Sequence, residues 1–216
     1  PLIVEEFLTE TEEYAILWYR MPNQSRGKIL SFTKKHFLKV IGDGENTVAD
    51  LVEMDSFLKQ KKCLAQKNLK AIWTTVLPKG KAVSISELGN CHEGIVCENL
   101  NSFIHDGLEK QLDNIANNIE GFNFGRFDIK ANSEYTLFNG DFKIIEINGV
   151  NSTPLHIYDK SVSYKSAFLY LLKHWRIICE ITNAYQKKGL QPENFWAVFK
   201  VTFGAHFKNK WTYGRW

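Results

Sequence analysis

The chain has little sulfur and no pattern that would put it to structural use. Its four cysteines, Cys63, Cys91, Cys97 and Cys179, form no C-x-x-C pair, and 216 residues bury enough core to fold without disulfides. Reduced thiols in a cytoplasmic setting are the expectation. Zinc-type spacing is missing too, so Cys91, His92, Glu93 and Cys97, though close in sequence, do not read as a metal cluster. Nothing resembles a signal peptide, and the longest apolar run, near "SAFLYLL", is broken by Lys173, His174 and Arg176 well before it could span a bilayer. A membrane is therefore not an expected partner. No block of one charge occurs either: 27 Lys and Arg stand against 24 Asp and Glu, scattered, for a net charge of +3. That argues against nucleic acid and suits a phosphate-bearing small ligand. Internal repeats and low-complexity segments are absent. The chain also opens without methionine, at "PLIVEEFLTE", inside an apolar run, which reads as a piece of something longer.

What is present is ordinary globular material, 44% hydrophobic and 24% charged, which excludes a disordered, collagen-like or coiled-coil chain. "PLIVEEFL" and "EYAILWYRM" have strand length and composition. "MPNQSRG" supplies a loop before "KILSFTKKHFLKVIG", giving an antiparallel set. Gly42 and Gly44 mark a tight turn, and Thr47 with Asp50 predicts a capping box opening a helix over 48–59. "NLKAIWTTVLPKGKAVSISELGN" reads as strand, turn, strand. Leu108, Leu112, Ile115 and Ile119 recur at helical spacing, with Gly121 as the stop. A third helix is predicted over 162–188, with Phe168, Leu171, Leu172, Trp175, Ile178 and Cys179 as its core stripe. The aromatic and basic tail over 189–216 fits a tag remnant, a docking segment or disorder. The order of elements points to a layered α+β fold with antiparallel sheets.

"GFNFGRFDIK" and "FKIIEING" carry an arginine, two carboxylates and an asparagine inside strand-like runs. Alternation puts Arg126 and Asp128 on one strand face, with Phe127 and Ile129 on the other; it likewise groups Glu146 and Asn148 with Ile144. If a loop over 132–140 joins the strands as a hairpin, the register that pairs Asp128 with Glu146 also pairs Arg126 with Asn148. A tight turn at Asn139 and Gly140 would instead set Asp128 against Asn151 and disperse the group. Facing carboxylates repel unless a cation lies between them, and such oxygen ligands favour Mg²⁺ or Mn²⁺. The plain alternative is a surface ion pair on a wet sheet face.

These residues resemble the ATP-grasp superfamily, in its carboxylate–amine ligase-like branch, related more distantly to D-alanine:D-alanine ligase. "GRFDIK" with "IIEINGVNSTPLHIYD" looks like the metal-binding pair of strands; "IVEEFL" and "EEYAILWYR" look like the hinge strand and its successor. "FLKVIGDGENTVADLV" is similar to a segment of cyanophycin synthetase and its relatives. The resemblance implies ATP-grasp-like antiparallel sheets with packed helices over 1–188, a C-terminal portion without the upstream lysine and glycine-rich lid. It implies ATP and Mg²⁺ (or Mn²⁺) as cofactors, with Asp128, Glu146 and Asn148 as metal ligands and Arg126 against the transferring phosphate. Backbone groups around Glu5 and Leu8 would hold adenine, Ile145 would pack on the ring, Glu13 would accept from the ribose, and Lys34 or Lys35 would reach the phosphates. Asn151, Ser152 and His156 would meet the acceptor, in a reaction joining a small carboxylate to an amine, both within the range of amino acids. A phosphotransferase and a non-catalytic binding module are the competing readings.

Overall fold

The computed structural model describes residues 6–86, 95–191, 194 and 196. Its centre is a five-stranded antiparallel sheet in the order β5-β2-β1-β6-β7, built from β1 (Glu12–Tyr19), β2 (Lys28–Phe37), β5 (Ile95–Asn99), β6 (Phe124–Ala131) and β7 (Lys143–Asn148). Beside it lies a small hairpin of β3 (Lys39–Ile41) and β4 (Ala82–Ser84). The hairpin is covered by α1 (Val48–Met54), α2 (Ser56–Gln60) and α3 (Lys62–Asn68), with Val40, Val48, Val52, Ala65 and Leu77 in a core of its own. The fold is α+β with antiparallel sheets, as the order of elements suggested.

The central sheet buries both faces, each in a different way. On one, Tyr14, Ile16, Trp18, Phe32, Phe127 and Ile129 meet Leu108, Leu112 and Ala116 of α4 (Asp106–Ala116). At about 25 cal/mol per Å², large side chains removed so fully from water supply much of the driving force. On the other, Leu17, Leu30 and Phe124 meet Ile177 and Ile181 of α6 (Tyr164–Lys187) at one end only. A bulge between Leu17 and Trp18 makes this two-sided arrangement work: Leu17 pairs with Ser31 and Trp18 with Ile29. Leu30 is thereby the extra residue and joins Leu17 beneath α6.

Several expectations need correction. Residues 6–11 form no strand, and 1–5 lie outside the described residues. The helix expected over 48–59 opens on the predicted Thr47–Asp50 box but breaks at Asp55, whose side chain accepts from Phe57 and Leu58 N–H and so caps a new helix. Within 68–86 only β4 forms; "AIWTTV" folds as a short 3-10 turn and one bridge, Thr47 to Val76, because the buried Leu69 and Leu77 pin it to the small core. Helix α4 ends at Ala116, and Gly121, at φ +73, serves a later turn.

The connection over 132–140 contains α5 (Glu134–Phe138), capped by Ser133. The stripe expected to bury α6 is also wrong. Its buried residues are His174, Ile177 and Ile181, whereas Phe168, Leu172, Trp175 and Cys179 are exposed.

Candidate functional site

The hairpin of β6 and β7 adopts the longer of the two registers. Arg126 pairs with Asn148, Phe127 with Ile147 and Asp128 with Glu146. The helix α5 fills the connection, which excludes the tight turn at Asn139 and Gly140. Beyond Asp128 the ladder slips: Ile129 pairs with Ile144, leaving Ile145 as a bulge. Ile144 therefore packs against the core with Phe127 and Ile129 rather than sharing a face with Glu146, which corrects the grouping expected from simple alternation. Ile145 is exposed on the edge strand.

Pairing carries the polar face inward across the sheet. Ala15 of β1 is partnered by Asp128 on one side and Thr33 on the other; Glu13 is partnered by Lys130 and Lys35. Glu13, Lys35 and Asp128 are only 5%, 3% and 2% exposed. Neither Glu13 nor Lys35 is the solvated surface group that its acidic or basic surroundings suggest. Lys35 Nζ lies 2.6 Å from Glu13 Oε1 and 3.3 Å from Asp128 Oδ2. Arg126 donates to Asp128 through Nε at 2.7 Å and Nη2 at 3.0 Å, a two-pronged pair. Asn148 Nδ2 approaches Asp128 Oδ2 at 3.4 Å. Two cations thus balance two carboxylates, as burial demands. Glu146, exposed beside them, pairs with no cation among the described residues, so the cluster has an uncompensated negative charge at its rim.

Towards the middle of the sheet the same face becomes neutral and closed. Ser31, Thr33 and His156 are buried, with His156 Nδ1 2.7 Å from Ser31 Oγ and Ser31 Oγ 3.4 Å from Thr33 Oγ1. His156 belongs to the 3-10 turn Leu155–Tyr158 and stands edge-on to the Tyr170 ring of α6 at 4.3 Å. Burial holds its pKa down to about 4, so it is neutral at pH 7. Its Nε2 is buried without a hydrogen-bond partner among the described residues. Ser152 is buried and its hydroxyl donates to Gly149 carbonyl, closing the turn after β7; Asn151 is exposed. Ser31 and Thr33 were not expected in this cluster, although the alternation of Ser31, Thr33 and Lys35 in "LSFTKK" is the pattern that points to them.

Other candidates lie apart. Lys34 points away from this face, bridging Glu12 at 2.9 Å and Glu134 at 2.8 Å. Leu8 is half-buried ahead of β1 in no regular element, and Glu5, like Cys91, His92 and Glu93, lies outside the described residues. Asp43 accepts from the Glu45 and Asn46 backbone N–H groups, and Gly44 takes φ +87, so "GDGEN" is a self-satisfied turn.

Among the described residues no three His, Cys, Asp or Glu side chains converge as a metal site. Asp128, Glu146 and Asn148 supply two carboxylates and one amide, a set suited to a hard cation that takes its remaining ligands from water and phosphate. Because Arg126 and Lys35 occupy the Asp128 oxygens, a cation binding Asp128 has to share or displace them. Among the described residues no helix is long and apolar enough to cross a membrane.

No protein-family profile matches the chain, and no curated protein sequence matches it. Among solved structures, a bifunctional glutathione synthetase from Pasteurella multocida is similar at a TM-score of 0.46 and 15% identity, over 79% of this chain and 25% of that one. The chain therefore spans about a quarter of the length of that protein.

Two measurements check the electrostatics. Lys35→Met leaves Glu13 and Asp128 buried without their shared cation and is expected to cost about 3–5 kcal/mol, read from urea unfolding; Glu13→Gln added to it restores much of the loss. An unchanged midpoint in the single variant contradicts the buried triad. The His156 pKa is about 4 folded against 6.5 for the free side chain. Above pH 6.5 both states are neutral; below it the unfolded chain takes up a proton that the fold refuses. Stability contributed here is accordingly present above the unfolded pKa and lost as the pH falls towards 4. His156→Gln is expected to flatten that limb relative to wild type; parallel limbs contradict a neutral buried imidazole.

Proposed function

We propose that the chain is the C-terminal portion of an ATP-grasp unit, acting in an ATP- and Mg²⁺-dependent ligase that joins a carboxylate to an amine. The observation that carries this reading is the register setting Asp128 across from Glu146 and Arg126 across from Asn148, on the two strands at the edge of the sheet. Surplus charge of a single sign at the open rim of a charge-balanced cluster is what a cation–phosphate ligand complements.

Asp128, Glu146 and Asn148 would hold the Mg²⁺ or Mn²⁺, which when bound shields phosphate charge and orients the transferring group. Arg126, one pleat from Asp128 on the same face, places a guanidinium where charge spreads over the γ-phosphate oxygens. Lys35, held by Glu13, keeps the Asp128 carboxylate balanced, and would reach a phosphate only on leaving that pair. Glu13 would in turn be freed towards the ribose, Ile145 would flank the base, and the chain around Leu8 and Glu5 would meet the adenine edge.

A carboxylate oxygen of the substrate attacks the γ-phosphorus as the bond to ADP breaks. The amine then attacks the acyl carbon of the acyl phosphate, phosphate leaves, and the nitrogen loses a proton to solvent. Asn151 and the turn closed by Ser152, which follow Asn148 in the chain, would meet the acceptor, and His156, bonded to Ser31, would lie on the same side.

Titration calorimetry with ATP tests this. Binding is expected with Mg²⁺ and not with EDTA, and about tenfold or more weaker in Asp128→Asn and in Glu146→Gln. Equal affinity in wild type and both variants would sink the proposal.

A further inference from the structure

Helix α6 turns His174, Ile177 and Ile181 to the sheet, and its outward face carries Tyr164, Phe168, Leu169, Leu172 and Trp175, each more than half exposed. Steps of three and four residues align them as one ridge roughly 16 Å long. Single exposed apolar side chains are ordinary, whereas a contiguous run with Phe and Trp at its centre marks an interaction surface. The charges along it are one-sided. From Tyr164 to Cys179 the helix has no acidic residue, while Lys165, Lys173 and Arg176 flank the ridge. The first acid, Glu180, is held by Arg176 at 2.7 Å. Lys165 stands in a first helical turn that has no acid, so the positive end of the helix dipole adds to its charge. Next to the ridge a recess of about 260 Å³ is lined by Ser166, Leu169, Tyr170 and Lys173.

Charge decides between occupants. Two copies packed about a twofold axis near Leu172 would bring Lys173 against its own symmetry mate. The segment over 192–216 has Lys200, Lys208, Lys210 and Arg215 against Glu193, so it too is like-charged. We propose that this face docks an acidic amphipathic segment of a partner polypeptide. Its apolar stripe lies along Phe168, Leu172 and Trp175, one side chain enters the recess beside Tyr170, and its carboxylates meet Lys165 and Lys173. The assignment is independent of the nucleotide reading.

The test uses the full chain and a synthetic helix-forming peptide with a Leu/Phe stripe flanked by Glu, alongside the same peptide with Lys for Glu. Fluorescence anisotropy is expected to show binding of the Glu peptide alone, weakened by salt. Lys173→Glu and Trp175→Ser are each expected to weaken it by about tenfold or more with unchanged circular dichroism. Equal binding of the two peptides, or indifference to both variants, overturns the proposal. So does displacement of the peptide by phosphatidylserine vesicles, or a dimer in sedimentation that dissociates in Trp175→Ser.

Discussion

The arrangement rests on one buried lysine. Lys35 sits between Glu13 and Asp128 with almost no exposure, and Arg126 completes a neutral set of four charges on three adjacent strands. Charges taken this far from water are tolerated only when paired and geometrically held. The pairing of β2 with β1 and of β1 with β6 is what holds them, so strand register and charge balance enforce each other. A one-residue slip in any of these ladders would turn a charge into the aromatic core on the opposite face.

That constraint explains the division of labour between the two helices over the sheet. Helix α4 covers an unbroken apolar face, as its Leu108, Leu112 and Ala116 require. Helix α6 covers only the apolar end of the other face, where Leu17, Leu30 and Phe124 gather. The 3-10 turn with Leu155 and His156 then seals the middle, where Ala15 and Ser31 are small enough to admit it. Glu13, Lys35 and Asp128 are themselves almost fully buried, and the exposed group beside them is Glu146 on the edge strand. Backbone spacing between β6 and β7 is tight: a Cβ on Gly125 would come 2.6 Å from Asn148 carbonyl and 2.5 Å from the Phe122 ring, so glycine there lets the two strands close beside Arg126 and Asn148.

Much of this could be read from the residues. The pairing of Asp128 with Glu146 followed from matched spacing in "GRFDIK" and "EIN", and the Thr47–Asp50 box opened its helix where expected. The bulge at Ile145 left no trace, because its cause is the fit of Ile144 against Phe127 and Ile129, which lie far away in sequence. Lys35 could be read only as one of two candidate phosphate lysines, because the carboxylates buried with it, Glu13 and Asp128, come from two other strands. In α6 two stripes of similar apolarity compete, and His174 disguised the inner one; only the sheet selects it. The run "AIWTTV" has strand composition, yet packing on the small core overrides propensity.

The pairing of Asp128 with Glu146 is proposed here as the heart of a cation–nucleotide site. Paramagnetic broadening by Mn²⁺ in the presence of ATP, followed residue by residue in the amide spectrum, examines it most directly, because relaxation falls steeply with distance from the ion. Residues 126–130 and 144–148 are expected to broaden first, and Glu146→Gln to suppress this. Broadening centred elsewhere, or none below the concentrations that broaden exposed acids generally, would contradict it.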